Sequence, residues 1–219
     1  MKLVNVQIQN FRCIDDTTPF SIKQTTCLVG KNESGKTAIL QALERLNPYD
    51  ETRKKYNKLQ DYPRRHYSDY ASRHPDNEAT VLTTKWQLEP DDVQVLEEEF
   101  GRNCLKIEEI KIFKHYEDES QSWYISIDIR KALQHLMGEV GLTAAEKQSF
   151  AKFDSSEKLY THLHKLGKRN ATKTALMERI SKYRAHSIHT HAIDLISKRL
   201  PKFLYFSQYS RMNGDVSIQ

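Results

Sequence analysis

Residues 30–37 read Gly-Lys-Asn-Glu-Ser-Gly-Lys-Thr and fit the pattern GxxxxGK[ST]. The apolar run TTCLVG at 25–30 predicts a strand that leads into the first glycine, and Ile39, Leu43 and Leu46 predict one face of a helix that starts at Lys36. In this context the pattern binds phosphate, because backbone N–H groups of the loop turn inward around the anion at the start of the helix. The stretch therefore predicts a phosphate-binding loop.

The loop chemistry indicates ATP and Mg²⁺ as the cofactors. Lys36 is expected to place its charge on the β- and γ-phosphates, and the Thr37 hydroxyl is expected to ligate Mg²⁺. The predicted nucleotide-binding residues of the loop are Gly30, Lys31, Asn32, Glu33, Ser34, Gly35, Lys36 and Thr37.

A strand precedes the loop's own strand. Residues 3–11 (LVNVQIQNF) alternate apolar and polar side chains, which predicts a half-buried strand. A turn-rich stretch at 15–19 separates it from the strand at 25–30. The loop therefore follows the second predicted strand. This order disfavours a P-loop kinase, because such kinases usually place the loop after their first strand.

The middle of the chain reads as mixed α/β structure. The first helix is expected to stop at Asn47-Pro48, because proline breaks a helix. The remaining predictions up to residue 129 are an irregular polar segment at 49–78, a strand at 79–88, a helix at 90–100 and a hairpin of 104–116 with 123–129.

The last third changes to a helical pattern. Thr143–Glu146 and Asp154–Glu157 resemble capping boxes, and 171–199 carries apolar residues at roughly helical spacing. Pro201 ends this region, and KFLYFSQYS returns to a strand pattern. We therefore divide the chain into an N-terminal lobe of a nucleotide-binding domain (1–129), a helical insertion or arm (130–200) and a returning strand (201–219), with the chain expected to be incomplete.

Composition excludes several classes of protein. The 219 residues carry 34 Lys/Arg against 29 Asp/Glu, and no stretch approaches the roughly 20 apolar residues of a membrane span. The N-terminus lacks the apolar run of a signal peptide, so we expect a cytoplasmic protein without membrane contact. Cys13, Cys27 and Cys104 form no CxxC pair and are interpreted as buried small hydrophobic residues.

The order of strand, Asn10-Phe11-Arg12, strand, GKNESGKT and helix resembles the N-terminal lobe of the ABC-type ATPases of the SMC/RecF group. The GKNESGKT form together with YFSQYS at 205–210 is most similar to the OLD-family (overcome lysogenization defect) ATPases. The resemblance covers 1–48 well, and 79–129 and 201–219 loosely. It implies a P-loop NTPase head with a mixed sheet, which dimerises around nucleotide and acts on DNA in repair or in defence against phage.

Specific residues take roles from this resemblance. Gly30, Asn32, Gly35, Lys36 and Thr37 would hold the phosphates and Mg²⁺. Arg12 would be the basic residue near the nucleotide, with a surface arginine at a strand end as the alternative. Gln208 would correspond to the Q-loop glutamine and act as a second metal ligand.

Two motifs of such ATPases are missing from the sequence. No run of apolar residues is followed by Asp-Glu, the pair that supports Mg²⁺ and activates water, and the signature LSGGQ does not occur. The nearest run, Tyr124–Asp128, continues into Ile129. The catalytic residues are therefore unknown, and we expect the first half of a longer ATPase with little hydrolysis by these residues alone.

Three weaker patterns have a structural interpretation as well as a functional one. His186, His189 and His191 are interpreted as surface or capping residues rather than metal ligands. The basic residues between 130 and 200 could face DNA or could be solvated charges, and the Tyr62–Tyr67 stretch could contact nucleic acid or pack on the sheet. The basic set is Lys168, Arg169, Lys173, Arg179, Lys182 and Arg184.

Two functions remain open. The first is an ABC/SMC-type ATPase whose heads associate as homo-oligomers through the nucleotide face, with DNA as a partner. The second is an ATP-binding scaffold or regulatory subunit with little hydrolysis, which assembles a nuclease or toxin partner. The catalytic half that we expect beyond these residues would decide between them. An apolar run that ends in Asp-Glu would favour the ATPase, and a run without this pair would favour the scaffold.

Overall fold

The computed structural model describes residues 1–75, 78–116, 121–166 and 170–206. The strands in these ranges are β1 (Lys2–Phe11), β2 (Ile14–Asp16), β3 (Phe20–Ser21), β4 (Thr80–Gln87), β5 (Leu105–His115) and β6 (Ser122–Ile127). They form one sheet in the order β2-β1-β4-β5-β6, and β3 pairs with β1. The strands predicted at 3–11 and 79–88 and the two strands of the hairpin are confirmed.

Backbone pairs show that neighbouring strands of the sheet are antiparallel at two places. Gln9 lies opposite Asp16 in β1 and β2. At the two ends of the β4–β5 pair, Leu88 donates its N–H to the carbonyl of Glu108 at 2.9 Å, and Tyr116 donates its N–H to the carbonyl of Ala79 at 3.1 Å. In each pair of strands, the residue number rises along one strand as it falls along the other. The paired strands are therefore antiparallel.

Nine α-helices lie in the described ranges. They are α1 (Lys36–Glu44), α2 (Lys58–Asp61), α3 (Tyr70–Arg73), α4 (Pro90–Phe100), α5 (Ile129–Glu139), α6 (Ala144–Phe150), α7 (Ser156–Lys165), α8 (Ala171–Ser181) and α9 (Ile188–Ser197). Single 3-10 turns occupy Glu51–Arg53, Arg64–His66 and Arg184–His186. Short helical turns therefore interrupt the segment 49–78, which the sequence predicted to be irregular.

The chain forms two compact units. Among the described residues, the first contains 1–5, 84–112, 123–166 and 170–200, and the second contains 6–75, 78–83, 113–116, 121–122 and 201–206. β1, β4 and β5 each have residues in both units. The domain division at residues 129 and 200 stays a prediction. The glycine-rich loop and α1 belong entirely to the second unit.

The strand predicted at 25–30 is absent from the described structure. Residues 22–30 lie outside the strands, and Val29 is 90% exposed. A strand needs a neighbour that pairs with its backbone N–H and C=O groups, and among the described residues no backbone hydrogen bond joins this segment to a strand. The apolar run alone was therefore an insufficient signal.

In the first unit, the observed helix ends lie at or next to the positions predicted from the sequence. α4 begins with Pro90 in its first turn and is followed by Gly101, as predicted. Thr143 and Glu146 form the predicted capping box of α6. At α7 the cap is Ser155, which accepts from the Lys158 N–H, so the predicted start at Asp154 was one residue early.

The helical region predicted at 171–199 is broken between α8 and α9. Ala185 and His186 have φ values of 55° and 56°, in the left-handed region that L-residues rarely adopt. Ser187 then caps α9 by accepting from the Thr190 N–H. The apolar spacing continued across this turn, so periodicity did not reveal it.

Candidate functional site

The glycine-rich loop joins α1 at Gly35, the N-cap of the helix. Gly35 has φ 89° and ψ 4°, which is left-handed backbone. A Cβ at this position would lie 3.2 Å from Ile14 Cγ1 and 3.3 Å from Cys13 Sγ. Backbone conformation and available space both favour glycine here, and this lets the chain turn directly from the loop into the helix.

Lys36 holds the loop together from inside. Its ammonium donates to the carbonyl oxygens of Gly30 at 2.8 Å and Lys31 at 2.6 Å, and to Ser34 Oγ at 3.3 Å. The positive charge therefore lies within the curve of the loop, where a phosphate group bound by the loop would meet it.

The first turn of α1 is suited to an anion. It contains no acidic side chain, and no side chain caps its N-terminus. The unpaired N–H groups and the helix dipole give this end a partial positive charge. Together with Lys36 and the Thr37 hydroxyl, these features fit a triphosphate with Mg²⁺.

A cavity of about 420 Å³ lies against the loop. Its lining combines the end of the loop, the first turns of α1 and the corner that follows β1. The lining residues are Arg12, Cys13, Asn32, Glu33, Gly35, Lys36, Thr37, Ala38 and Gln41. Arg12 thus lines the same cavity as Lys36 and Thr37.

Arg12 sits on a strained corner of the backbone. Asn10 and Arg12 have positive φ values of 52° and 54°. Three contacts hold the corner: the Tyr116 hydroxyl donates to the Asn10 carbonyl at 2.6 Å, the Asn10 amide donates to the Thr80 carbonyl at 3.2 Å, and the Arg12 N–H donates to the Asp61 carbonyl at 2.5 Å. Such strain persists where surrounding contacts fix it, and it often marks a functional site.

A second, larger cavity adjoins the first. It has a volume of about 910 Å³ and shares Arg12, Thr37 and Gln41 with the loop cavity. Its other walls come from α1 and from the turns between residues 52 and 61, with Tyr205 and Phe206 at one side. Arg12 therefore lies on the wall common to both cavities.

The C-terminal end of α1 is fixed by a buried lysine of β5. Lys114 is 0% exposed, and its ammonium donates to the carbonyl oxygens of Arg45, at 2.5 Å, and Lys54. A cation at this end of a helix complements the dipole. The Tyr56 hydroxyl donates to the Ala42 carbonyl at 2.7 Å, and burial raises its pKa, so this donor stays protonated.

Other residues singled out from the sequence serve packing or ion pairs. Tyr62 is buried and contacts Tyr70 edge to face, which agrees with the packed-loop alternative. Three of the four described side chains of the basic set find acidic partners: Lys173 pairs with Glu146 at 3.1 Å, Arg179 with Glu99 at 3.2 Å and Arg184 with Asp194 at 2.8 Å. Lys168, Arg169 and Gln208 lie outside the described residues.

The three histidines contact separate partners. His186 stacks on Tyr160 with ring centroids 3.7 Å apart, His189 Nε2 lies 3.1 Å from the Ile125 carbonyl, and His191 stacks on Tyr183. Among the described residues, no group of three or more His, Cys, Asp or Glu side chains could hold a metal ion. Cys104 is buried as expected, whereas Cys13 and Cys27 are exposed, because the corner and the unpaired segment at 22–30 leave them at the surface.

Sequence reasoning missed two residues of the site. Gln41 lies four residues after Thr37 and therefore on the same face of α1, a spacing that could have revealed it. Asp61 carried no such signal, because it falls in a polar segment without periodicity and meets Arg12 only through the fold.

Comparison with protein families identifies the chain. The family described as AAA ATPase domain matches residues 1–212, so this chain belongs to that family of ATP-binding proteins. The expected α/β P-loop NTPase fold is thereby confirmed. A search of curated proteins finds no match. In the described ranges, no helix has the length and apolar character needed to cross a membrane.

Proposed function

We propose that this AAA-family chain is the ATP-binding head of an ATPase of the SMC/RecF/OLD group, with residues 30–37 holding the triphosphate and Arg12 beside it. One observation carries the proposal: the Lys36 ammonium lies inside a glycine-rich loop at the N-terminus of α1, with Thr37 adjacent and no carboxylate in the first turn. Bound Mg²⁺ would neutralise negative charge on the phosphates. The Thr37 hydroxyl is the group that would ligate this Mg²⁺.

The finer parts of the proposal rest on the resemblance of the motifs. We propose that the heads associate through the nucleotide face. We also propose that the protein acts on DNA in the cytoplasm, in genome maintenance or in defence against phage. Three of the four described side chains of the basic set add no support for DNA contact, since Lys173, Arg179 and Arg184 are paired with carboxylates. The proposed DNA contact depends on the family likeness alone.

A scaffold with little hydrolysis is the second candidate. The observation in its favour is that the 219 residues contain no apolar run followed by Asp-Glu, so no carboxylate with the expected sequence context is available to activate water. In this alternative, ATP binding would organise a nuclease or toxin partner.

Equilibrium titration with ATP and Mg²⁺ tests the nucleotide site. Lys36→Ala should abolish binding, because it removes the charge inside the loop, while Lys158→Ala on the exposed face of α7 should bind as wild type does. Unchanged affinity in Lys36→Ala would refute the site. Phosphate release under the same conditions tests the second candidate: turnover on the order of 1 s⁻¹ that depends on Lys36 would contradict a scaffold with little hydrolysis.

A further inference from the structure

The Arg12 guanidinium is held by two acceptors. Its Nε donates to Asp61 Oδ1 at 3.2 Å, and NH1 donates to Gln41 Oε1. The Arg12 side chain remains 38% exposed, whereas that of Asp61 is only 3% exposed. The guanidinium thus has one edge bound to the protein and a surface left towards the two cavities that it lines.

Asp61 is itself fixed in place. Its Oδ2 accepts from Arg45 NH1 at 2.5 Å and from the Asn57 N–H at 3.0 Å. A carboxylate that accepts several hydrogen bonds in a buried position has little freedom to rotate. Asp61 therefore offers Arg12 a rigid partner.

The same residue also fixes the backbone of Arg12. The Asp61 carbonyl accepts the Arg12 N–H at 2.5 Å, at the point where φ is positive. Asp61 thus holds the backbone and the side chain of Arg12 at once. A residue that served only packing would not need both contacts.

We propose that Asp61 is a positioning residue for nucleotide binding, which orients the Arg12 guanidinium towards the phosphates of a nucleotide held by residues 30–37. This inference rests on the proposed function, because it assumes that nucleotide occupies the loop. Binding energy is gained when a charged donor is already oriented, since no side-chain freedom is then lost on binding. Asp61 acts through Arg12 and does not itself contact the nucleotide.

A double-mutant cycle on ATP affinity tests the coupling. Asp61→Asn keeps the shape of the side chain but removes its charge, and should weaken ATP binding by about tenfold, the scale of a hydrogen bond to a charged group. In an Arg12→Gln background the same change should have no further effect, because the group it positions is gone. Asp15→Asn is the matched control, since it removes an ion pair with the exposed Arg65 and lines neither cavity.

A second measurement uses the protein without nucleotide. The Arg12 Hε proton should give a slowly exchanging NMR signal in the wild type, because Nε donates to a buried carboxylate. The signal should be lost or exchange faster in Asp61→Asn and be unchanged in Asp15→Asn. Thermal unfolding of each variant verifies that it is folded at the temperature of the titrations.

The outcomes separate this inference from the proposed function. Absence of ATP binding by the wild type would overturn the proposed function. If the wild type binds ATP, two results would overturn the positioning role. One is an unchanged ATP affinity in Asp61→Asn, and the other is an equal loss of affinity from Asp61→Asn in the wild type and in Arg12→Gln. An Arg12 Hε signal that is insensitive to Asp61→Asn would overturn it independently.

Discussion

Gly35→Ala tests whether the loop requires glycine for its backbone and for the space around it. Gly35 combines φ 89° with a site where a Cβ would lie 3.2 Å from Ile14 Cγ1 and 3.3 Å from Cys13 Sγ. Gly141, which follows α5, has φ 71° with no atom within 4 Å of the same Cβ position. The pair separates backbone strain from crowding.

The expected magnitudes follow from these geometries. An L-residue in left-handed backbone costs about 1–2 kcal/mol, so Gly141→Ala should lower the free energy of unfolding by this amount. Gly35→Ala carries the same cost plus the displacement of Ile14, a buried side chain in β2. Mild overpacking adds about 1 kcal/mol, which brings the total to roughly 2–3 kcal/mol.

Urea denaturation of wild type and both variants measures these differences, with circular dichroism as the signal. ATP titration should also show weaker binding by Gly35→Ala, because a loop that relieves the strain turns its amides away from the phosphates. Equal destabilisation by the two substitutions would refute the crowding at Ile14 and Cys13. A loss well below 1 kcal/mol in both would refute the requirement for left-handed backbone.

Two further predictions concern the first unit. Phe100 is fully buried and packs edge to face against Tyr183 and His191, so Phe100→Ala should lower the free energy of unfolding by about 3–5 kcal/mol in the same urea assay, and a loss below 1 kcal/mol would contradict this packing. Burial lowers the pKa of His191, although Glu99 at 3.5 Å and Asp194 oppose the shift. Below pH 6.5 the unfolded chain therefore binds a proton that the folded chain does not, so stability should fall as the pH drops from 6.5 through the folded pKa. His191→Gln should flatten this part of the urea-derived stability profile, and a profile as steep as that of the wild type would show that His191 does not contribute.

Local sequence signals predicted the elements that depend on local chemistry. The helix at 90–100 begins at Pro90 and ends before Gly101, as expected, because the signals for both ends lie within it or beside it. The capping box at Thr143 was predictable for the same reason. The glycine-rich loop also carries its whole pattern within eight consecutive residues, so its position before α1 followed from the sequence.

Features that depend on distant partners were not predictable. The apolar run at 25–30 has the composition of a strand, but pairing decides whether a strand forms, and pairing is set by another part of the chain. The left-handed turn at Ala185 and His186 interrupts an apolar pattern that continues on both sides of it. In both cases the local pattern was compatible with more than one structure.

The geometry of the candidate site combines both kinds of information. The sequence places Lys36 and Thr37 at the start of α1, and this part follows from eight neighbouring residues. The orientation of Arg12 depends on Asp61, 49 positions further along the chain, and the far end of α1 depends on Lys114, 69 positions beyond Arg45. Neither partner belongs to a recognisable motif, yet each is a buried charged group whose hydrogen bonds would be costly to leave unmade. Asp61 also contacts both the side chain and the backbone of Arg12, and this double contact is the feature by which a positioning residue of this kind can be found once a structure is known.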